Sequence, residues 1–162
     1  IGTGQDAEYS INPMSFTDNN DGTITDNLSQ LIWQLSDDGL SKIHEDASYY
    51  CADLSLGGYG DWRLPAISEL INIVDYGRLS PTLNPTFVVA DYNPRYWTSD
   101  FYYGPAYYGS GGAWTVSFLA GESLNFGPSY QAEYRCVRSD SDDVTDQDVF
   151  IYEAPDLAGS GS

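Results

Sequence analysis

The sequence predicts an α+β domain in which two helices pack on a twisted antiparallel sheet with long loops. Three observations carry that expectation: short opening strands divided by Asx/Gly turn chemistry, two central stretches with apolar residues at helical spacing, and a late stretch in which apolar and small polar residues alternate.

In the opening segment Met14, Phe16 and then Thr23, Ile24 and Thr25 flank Asp18-Asn19-Asn20-Asp21-Gly22, the residue types that close a β-hairpin. Leu31, Ile32 and Trp33 follow as a third apolar strand. The same run supports a second reading, because Asp18, Asn20, Asp21 and Asp26 offer oxygen ligands for calcium. The helix-loop-helix calcium pattern fails, since counting from Gly22 puts Thr17 at the first ligand position and Leu28 where a bidentate Glu belongs. The hairpin is the preferred reading, with calcium as its alternative.

Ile43, Ala47, Tyr50, Cys51 and Leu54 recur at helical spacing, with Ser41 placed to cap the start and Gly57-Gly58 to stop the run. Cys51 is then on the buried face and the single His, His44, on the exposed one. A second helix is expected after Pro65, with Ile67, Leu70, Ile71 and Val74 in one stripe and Gly77 at its end. The Pro-containing stretch from Leu79 to Asp91 reads as a long connection. From Tyr96 to Arg138 the pattern is a β-meander whose best strand is 113–118, turning at Ala120-Gly121 and returning through Leu124 and Phe126. On the last strand Tyr134, Cys136 and Arg138 point one way, Arg135 and Val137 the other.

Length and composition narrow the function. The chain has 162 residues, the size of one domain, with 14 Tyr and 16 Gly. Its 24 acids against 6 bases give a formal net charge of -18, which repels nucleic acid and anionic headgroups. Such an excess suits a saline or divalent-rich medium, where screening relieves self-repulsion. There is no apolar run long enough to span a bilayer, and Ile1 opens a polar stretch, so a soluble mature chain without membrane insertion is expected. The reading divides it into an N-terminal arm (1–12), a domain (13–138) and an acidic tail (139–162). That tail carries seven acids, no base and an apolar interruption from Val149 to Tyr152.

Two cysteines about 85 positions apart are either two reduced core thiols or one disulfide; an even count in a chain that looks secreted favours the disulfide. With one His and no free Cys, a zinc site is not expected. No Gly-x-Ser-x-Gly elbow or second His exists to pair a nucleophile with a base, so the chain is read as non-enzymatic.

Several strings are more specific. Residues 16–27, Phe-Thr-Asp-Asn-Asn-Asp-Gly-Thr-Ile-Thr-Asp-Asn, precede Leu31-Ile32-Trp33-Gln34. Tyr50-Cys51 comes next, then Gly57-Gly58-Tyr59-Gly60-Asp61-Trp62-Arg63-Leu64-Pro65 with Glu69-Leu70. Tyr96-Trp97-Thr98-Ser99, Ala113-Trp114 and Arg135-Cys136-Val137-Arg138 complete the order. Together, over about residues 4 to 138, they resemble the bacterial collagen-like-adhesin C-terminal domain family. The resemblance implies a C-type-lectin-like fold, related to that of the formylglycine-generating enzymes. It further implies a secreted or surface protein with an adhesive or ligand-binding role, and a disulfide between the helix cysteine, Cys51, and the last-strand cysteine, Cys136.

The departures matter too. The Glu-Pro-Asn and Trp-Asn-Asp triplets of calcium-dependent sugar-binding lectins are missing; Leu83-Asn84-Pro85 and Trp97-Thr98-Ser99-Asp100 are only echoes. The reactive cysteines of the formylglycine-generating enzymes would here be used up in the staple. Asp61 to Pro65, Trp33, Trp97 and Trp114 are read as structural. That leaves the loop 100–112, whose Tyr, Gly and Ser content is that of a binding surface. In some relatives with this fold the equivalent region is the variable ligand-binding face. The expected contact residues are Tyr102, Tyr103, Tyr107, Tyr108, Asn125 and Tyr130, taking a protein or glycan ligand without a cofactor. The alternative is a structural subunit, packing into a homo-oligomer or against filament neighbours through the same loops and the terminal arms.

Overall fold

The computed structural model describes residues 13–91, 94–106 and 109–140. The N-terminal arm, the apolar interruption at 149–152, Tyr107 and Tyr108 lie outside them. Among the described residues nine elements follow in chain order: β1 (Phe16–Asp18), β2 (Thr23–Asp26), β3 (Leu31–Gln34), α1 (His44–Asp53), α2 (Ile67–Asn72), β4 (Arg95–Ala106), β5 (Gly109–Ser117), β6 (Ser123–Phe126) and β7 (Val137–Ser139). The α+β mixture expected from the sequence is present.

Local chemistry explains the opening hairpin. Asp18 Oδ1 accepts from the Asn20 N–H at 2.8 Å, and Asp21 Oδ1 accepts from both the N–H and the hydroxyl of Thr23. Asn20 and Gly22 have φ of 59° and 88°, the left-handed region that Asn and Gly tolerate. Asp26 closes the next turn, accepting from the Leu28 N–H and the Ser29 hydroxyl. The acids offered as calcium ligands thus fold the turns, and no group of three or more His, Cys, Asp or Glu among the described residues could hold a metal ion.

The β-meander is only partly as expected. β4, β5 and β6 form one three-stranded antiparallel sheet, but β7 leaves it and pairs with β3, so the second sheet runs β1-β2-β3-β7. The final strand therefore joins the two ends of the domain. The segment read as loop 100–112 is instead paired: Phe101 faces Ala113, Tyr102 faces Gly112 and Pro105 faces Ser110 across an irregular ribbon. Gly112 is required there, because a Cβ would stand 2.0 Å from the Phe126 carbonyl oxygen of β6.

Strand alternation places successive residues in two separate cores. Ile32, Trp97 and Cys136 enter one with Ala47, Cys51, Trp62, Leu64, Ala113, Phe126 and Tyr134, which α1 covers. Trp33, Tyr96 and Val137, each the sequence neighbour of one of those three, enter the other with Leu70, Ile73, Val74, Leu83, Phe87 and Phe118 beside α2. Trp33, Trp97 and Trp62 are buried and Trp114 is half-buried, in keeping with a structural role.

Both helices differ in detail from the pattern. Ser41 does not cap α1; Ile43 holds that position without a side-chain bond, and the helix ends at Leu54, before the glycines. α2 is one and a half turns long, so Ile73 and Val74 are buried beyond its end while Ile71 faces solvent. Glu69 secures its start: the carboxylate accepts from the Ala66 N–H at 2.7 Å and from both Arg63 guanidinium nitrogens at 2.8 Å. Those bonds outweigh its burial and hold the Glu69 carboxyl below the usual range. Ile67 N–H donates to Asp100 at 2.6 Å, tying α2 to β4.

Cys51 and Cys136 are bonded, with Cα atoms 5.5 Å apart, closing α1 onto the residue before β7. Beside this staple Arg135 is buried, donating to the carbonyls of Gln34, Leu35 and Val88, to Asp37 at 3.2 Å and to the Tyr96 hydroxyl at 3.0 Å. Tyr96 in turn donates to Asp37 at 2.5 Å, and burial raises its pKa strongly.

Candidate functional site

The β4–β5 hairpin sorts its aromatic residues by strand alternation. Tyr102 pairs with Gly112 and stands edge-on to Trp114 at 5.6 Å; Trp114 in turn pairs with Asn125 of β6. Those three residues share one face. Phe101 and Tyr103, two positions apart with ring centroids at 6.4 Å, share the other. On that face Tyr130, half-buried, stacks on Phe126 at 3.9 Å and meets Trp97 edge-on at 6.0 Å. The expected contact residues are therefore divided: Tyr102 and Asn125 lie on one face, Tyr103 and Tyr130 on the other, and Tyr107 and Tyr108 fall outside the described residues.

The face carrying Phe101 and Tyr103 borders a groove. Ile43, His44, Glu45, Ser48 and Tyr49 of the α1 side form one wall, Phe101 of β4 and Pro128 the other, around a volume of about 520 Å³. Glu45 and Tyr49 are one helical turn apart and so project together. Tyr49, Phe101 and Tyr103 are 63%, 57% and 90% exposed, outside the two buried cores of the domain. Composition pointed to the tyrosines of this ribbon but not to Phe101 or Tyr49. The signal that finds Phe101 is its even spacing from buried Trp97 along β4; Tyr49 is found from its turn-long offset from Glu45.

His44 corrects the sequence reading, which put it on the exposed face of the helix. Its ring forms the groove floor, buried edge-on against Trp97 at 5.3 Å and Phe101 at 4.9 Å. Nε2 lies 2.7 Å from the Thr98 carbonyl oxygen, an acceptor only, so Nε2 carries the proton and donates. Burial pushes its pKa below the usual value, outweighing that bond, and keeps the ring neutral.

Five of the six basic side chains are engaged elsewhere. Arg63 pairs with Glu69, Arg95 with Glu122, Arg135 with Asp37 and Arg138 with Asp61. Arg138 also lies over the Tyr59 ring at 3.6 Å, and its bond to Asp61 depresses that carboxyl. Lys42 Nζ is placed over Tyr50 and Tyr134 at 6.0 and 5.7 Å. The groove wall itself carries one charged group, Glu45.

These features define a small, disulfide-closed α+β domain that leaves aromatic side chains in water on one hairpin face. No curated protein matches it. The chain belongs to the Lcl C-terminal domain family, whose model matches residues 22–138. This is the collagen-like-adhesin family that the ordered motifs resemble. The match begins at the turn glycine, after Phe16 to Asp21.

Proposed function

We propose that this is an extracellular, non-catalytic recognition domain of C-type-lectin-like fold that binds a protein or glycan ligand through the β4–β5 hairpin face. The observation that carries the reading is the exposure of Phe101 and Tyr49 in one groove lining, with Tyr103 exposed beside Phe101 on the same strand face. A patch of apolar surface left in water is a mark of a partner surface, and Tyr supplies rigid contact area at small entropic cost. Membership of a family read as adhesin-associated supports the same function, and the disulfide supports an oxidising, extracellular setting. None of the described helices is long and apolar enough to cross a membrane.

The test is adhesion of the purified domain to cultured cells and to immobilised glycans, comparing the natural chain with one in which Phe101, Tyr103, Tyr107 and Tyr108 are all Ser. Adhesion falls at least tenfold if the ribbon is the contact surface. Unchanged adhesion refutes the reading. Assembly into a concentration-independent polymer, read by light scattering and abolished by the same changes, would instead assign the ribbon to a structural subunit.

A further inference from the structure

We infer that the groove between α1 and the β4–β5 hairpin is a seat for a lysine side chain presented by an extended, basic segment of a partner protein. The inference rests on the recognition reading above and names the chemistry of its ligand. Two exposed rings from different elements, Tyr49 on the helix and Phe101 on the strand, line the groove with Glu45 at the helix end. A lysine offers what this combination selects: an apolar stem to lie along the rings and a compact ammonium for a ring face and a carboxylate. The volume of about 520 Å³ is that of a ligand site and exceeds one side chain, leaving room for the flanking backbone.

Charge chooses among occupants. The chain carries a net charge of -18, and the groove is lined by Glu45 without a basic side chain. The single lysine of the chain, Lys42, has its ammonium over Tyr50 and Tyr134 instead. A sulfated or phosphorylated ligand would meet the Glu45 carboxylate and the net negative charge of the chain. A neutral sugar could use the rings but gains nothing from the surrounding field. A cationic segment gains from both, and the field steers it towards the surface. A second copy of this chain is a poor occupant, because it has a single lysine and that one is engaged.

The experiment titrates the natural domain, labelled for amide NMR, with a short peptide of alternating lysine and glycine. The same peptide with every lysine acetylated is the first control, and the neutral sugar cellotetraose the second. The expected result is shifts centred on Glu45, Ser48, Tyr49 and Phe101 that vanish on acetylation. Glu45→Gln weakens the peptide about threefold, the size of an exposed ion pair, and Phe101→Ser about fivefold, the size of a cation–π contact. Asp53→Asn, an acid near the other end of α1, leaves affinity unchanged. Glu45 is exposed and without structural bonds, so its variant keeps the fold even if Phe101→Ser loosens the His44 contact. Shifts spread over the whole acidic surface, with all variants binding alike, overturn the inference. So does the absence of any shift. If cellotetraose moves the groove residues and the peptide does not, the lysine seat falls while the recognition reading stands.

Discussion

Replacing Arg135 by Met removes the guanidinium of a buried network and measures how the two sheets are held together. Arg135 is fully buried, and its five hydrogen bonds reach the end of β3 (Gln34), the segment after it (Leu35 and Asp37), the long connection (Val88) and β4 (Tyr96). Met fills a similar volume, so little cavity forms and the loss is electrostatic. Asp37 is left buried with donors only from Tyr96 and the Ala90 N–H, and the bonds from Arg135 to three carbonyls are lost. Breaking a buried ion pair from one side costs about 3 to 5 kcal/mol, because the remaining charge stays desolvated. In urea titrations followed by tryptophan fluorescence, the expected result is a loss of that size with an unchanged slope. The companion Arg135→Met/Asp37→Leu should recover part of the loss, since both charges are then gone. A single variant within about 1 kcal/mol of the natural chain would refute the reasoning, showing that the network adds nothing beyond apolar packing.

Two further outcomes follow from the fold. Cys51→Ala with Cys136→Ala opens a loop of 85 positions, worth about 4.6 kcal/mol in the chain-entropy model, or roughly 9 to 18 °C in melting temperature for a domain of this size; calorimetry showing under about 3 °C would rule that contribution out. His44 is held neutral by burial and is the only histidine, so between its folded pKa and about 6.5 the unfolded chain binds the extra proton. Its stabilising share is complete above about 6.5 and is lost as pH falls towards the folded value. Urea midpoints compared above and below that window should therefore drop more for the natural domain than for His44→Gln, and equal drops would contradict a buried neutral ring.

Local chemistry was legible and long-range pairing was not. The opening hairpin followed from Asp and Asn side chains that fold back on their own turns, within a few residues of where they stand. The alternation of Tyr134 to Val137 is legible because Tyr134 and Cys136 enter one core and Val137 the other, with Arg135 over the Phe87 and Tyr96 rings of that second core. What no local pattern carries is that β7 abandons β6 for β3, a choice made by register across a hundred residues and by the disulfide beside it. The ribbon reads as a loop because Gly, Pro and Ser lower strand propensity, whereas its pairing is held by the adjacent strand and by the close approach of Gly112 to Phe126. His44 reads as exposed because a lone polar residue on a helix ordinarily faces water, whereas the fold meets it with an acceptor carbonyl and two aromatic rings.

That internal use of polar groups also decides what the surface offers. Four of five arginines are paired with carboxylates, and two of them, Arg135 and Arg138, are buried in the architecture itself. Removing those four pairs from 24 acids and 6 bases leaves 20 acids against Lys42 and Arg78. The positive charge is spent in holding strands together, so the field outside the protein is almost purely negative. In dilute salt such a field draws cations to every face without choosing one. At about 1 M salt the screening length shrinks to roughly 3 Å, and only charges in contact still interact. Selectivity in a saline medium must then come from short-range contacts, and the groove brings one carboxylate, Glu45, into the same lining as the rings of Tyr49 and Phe101.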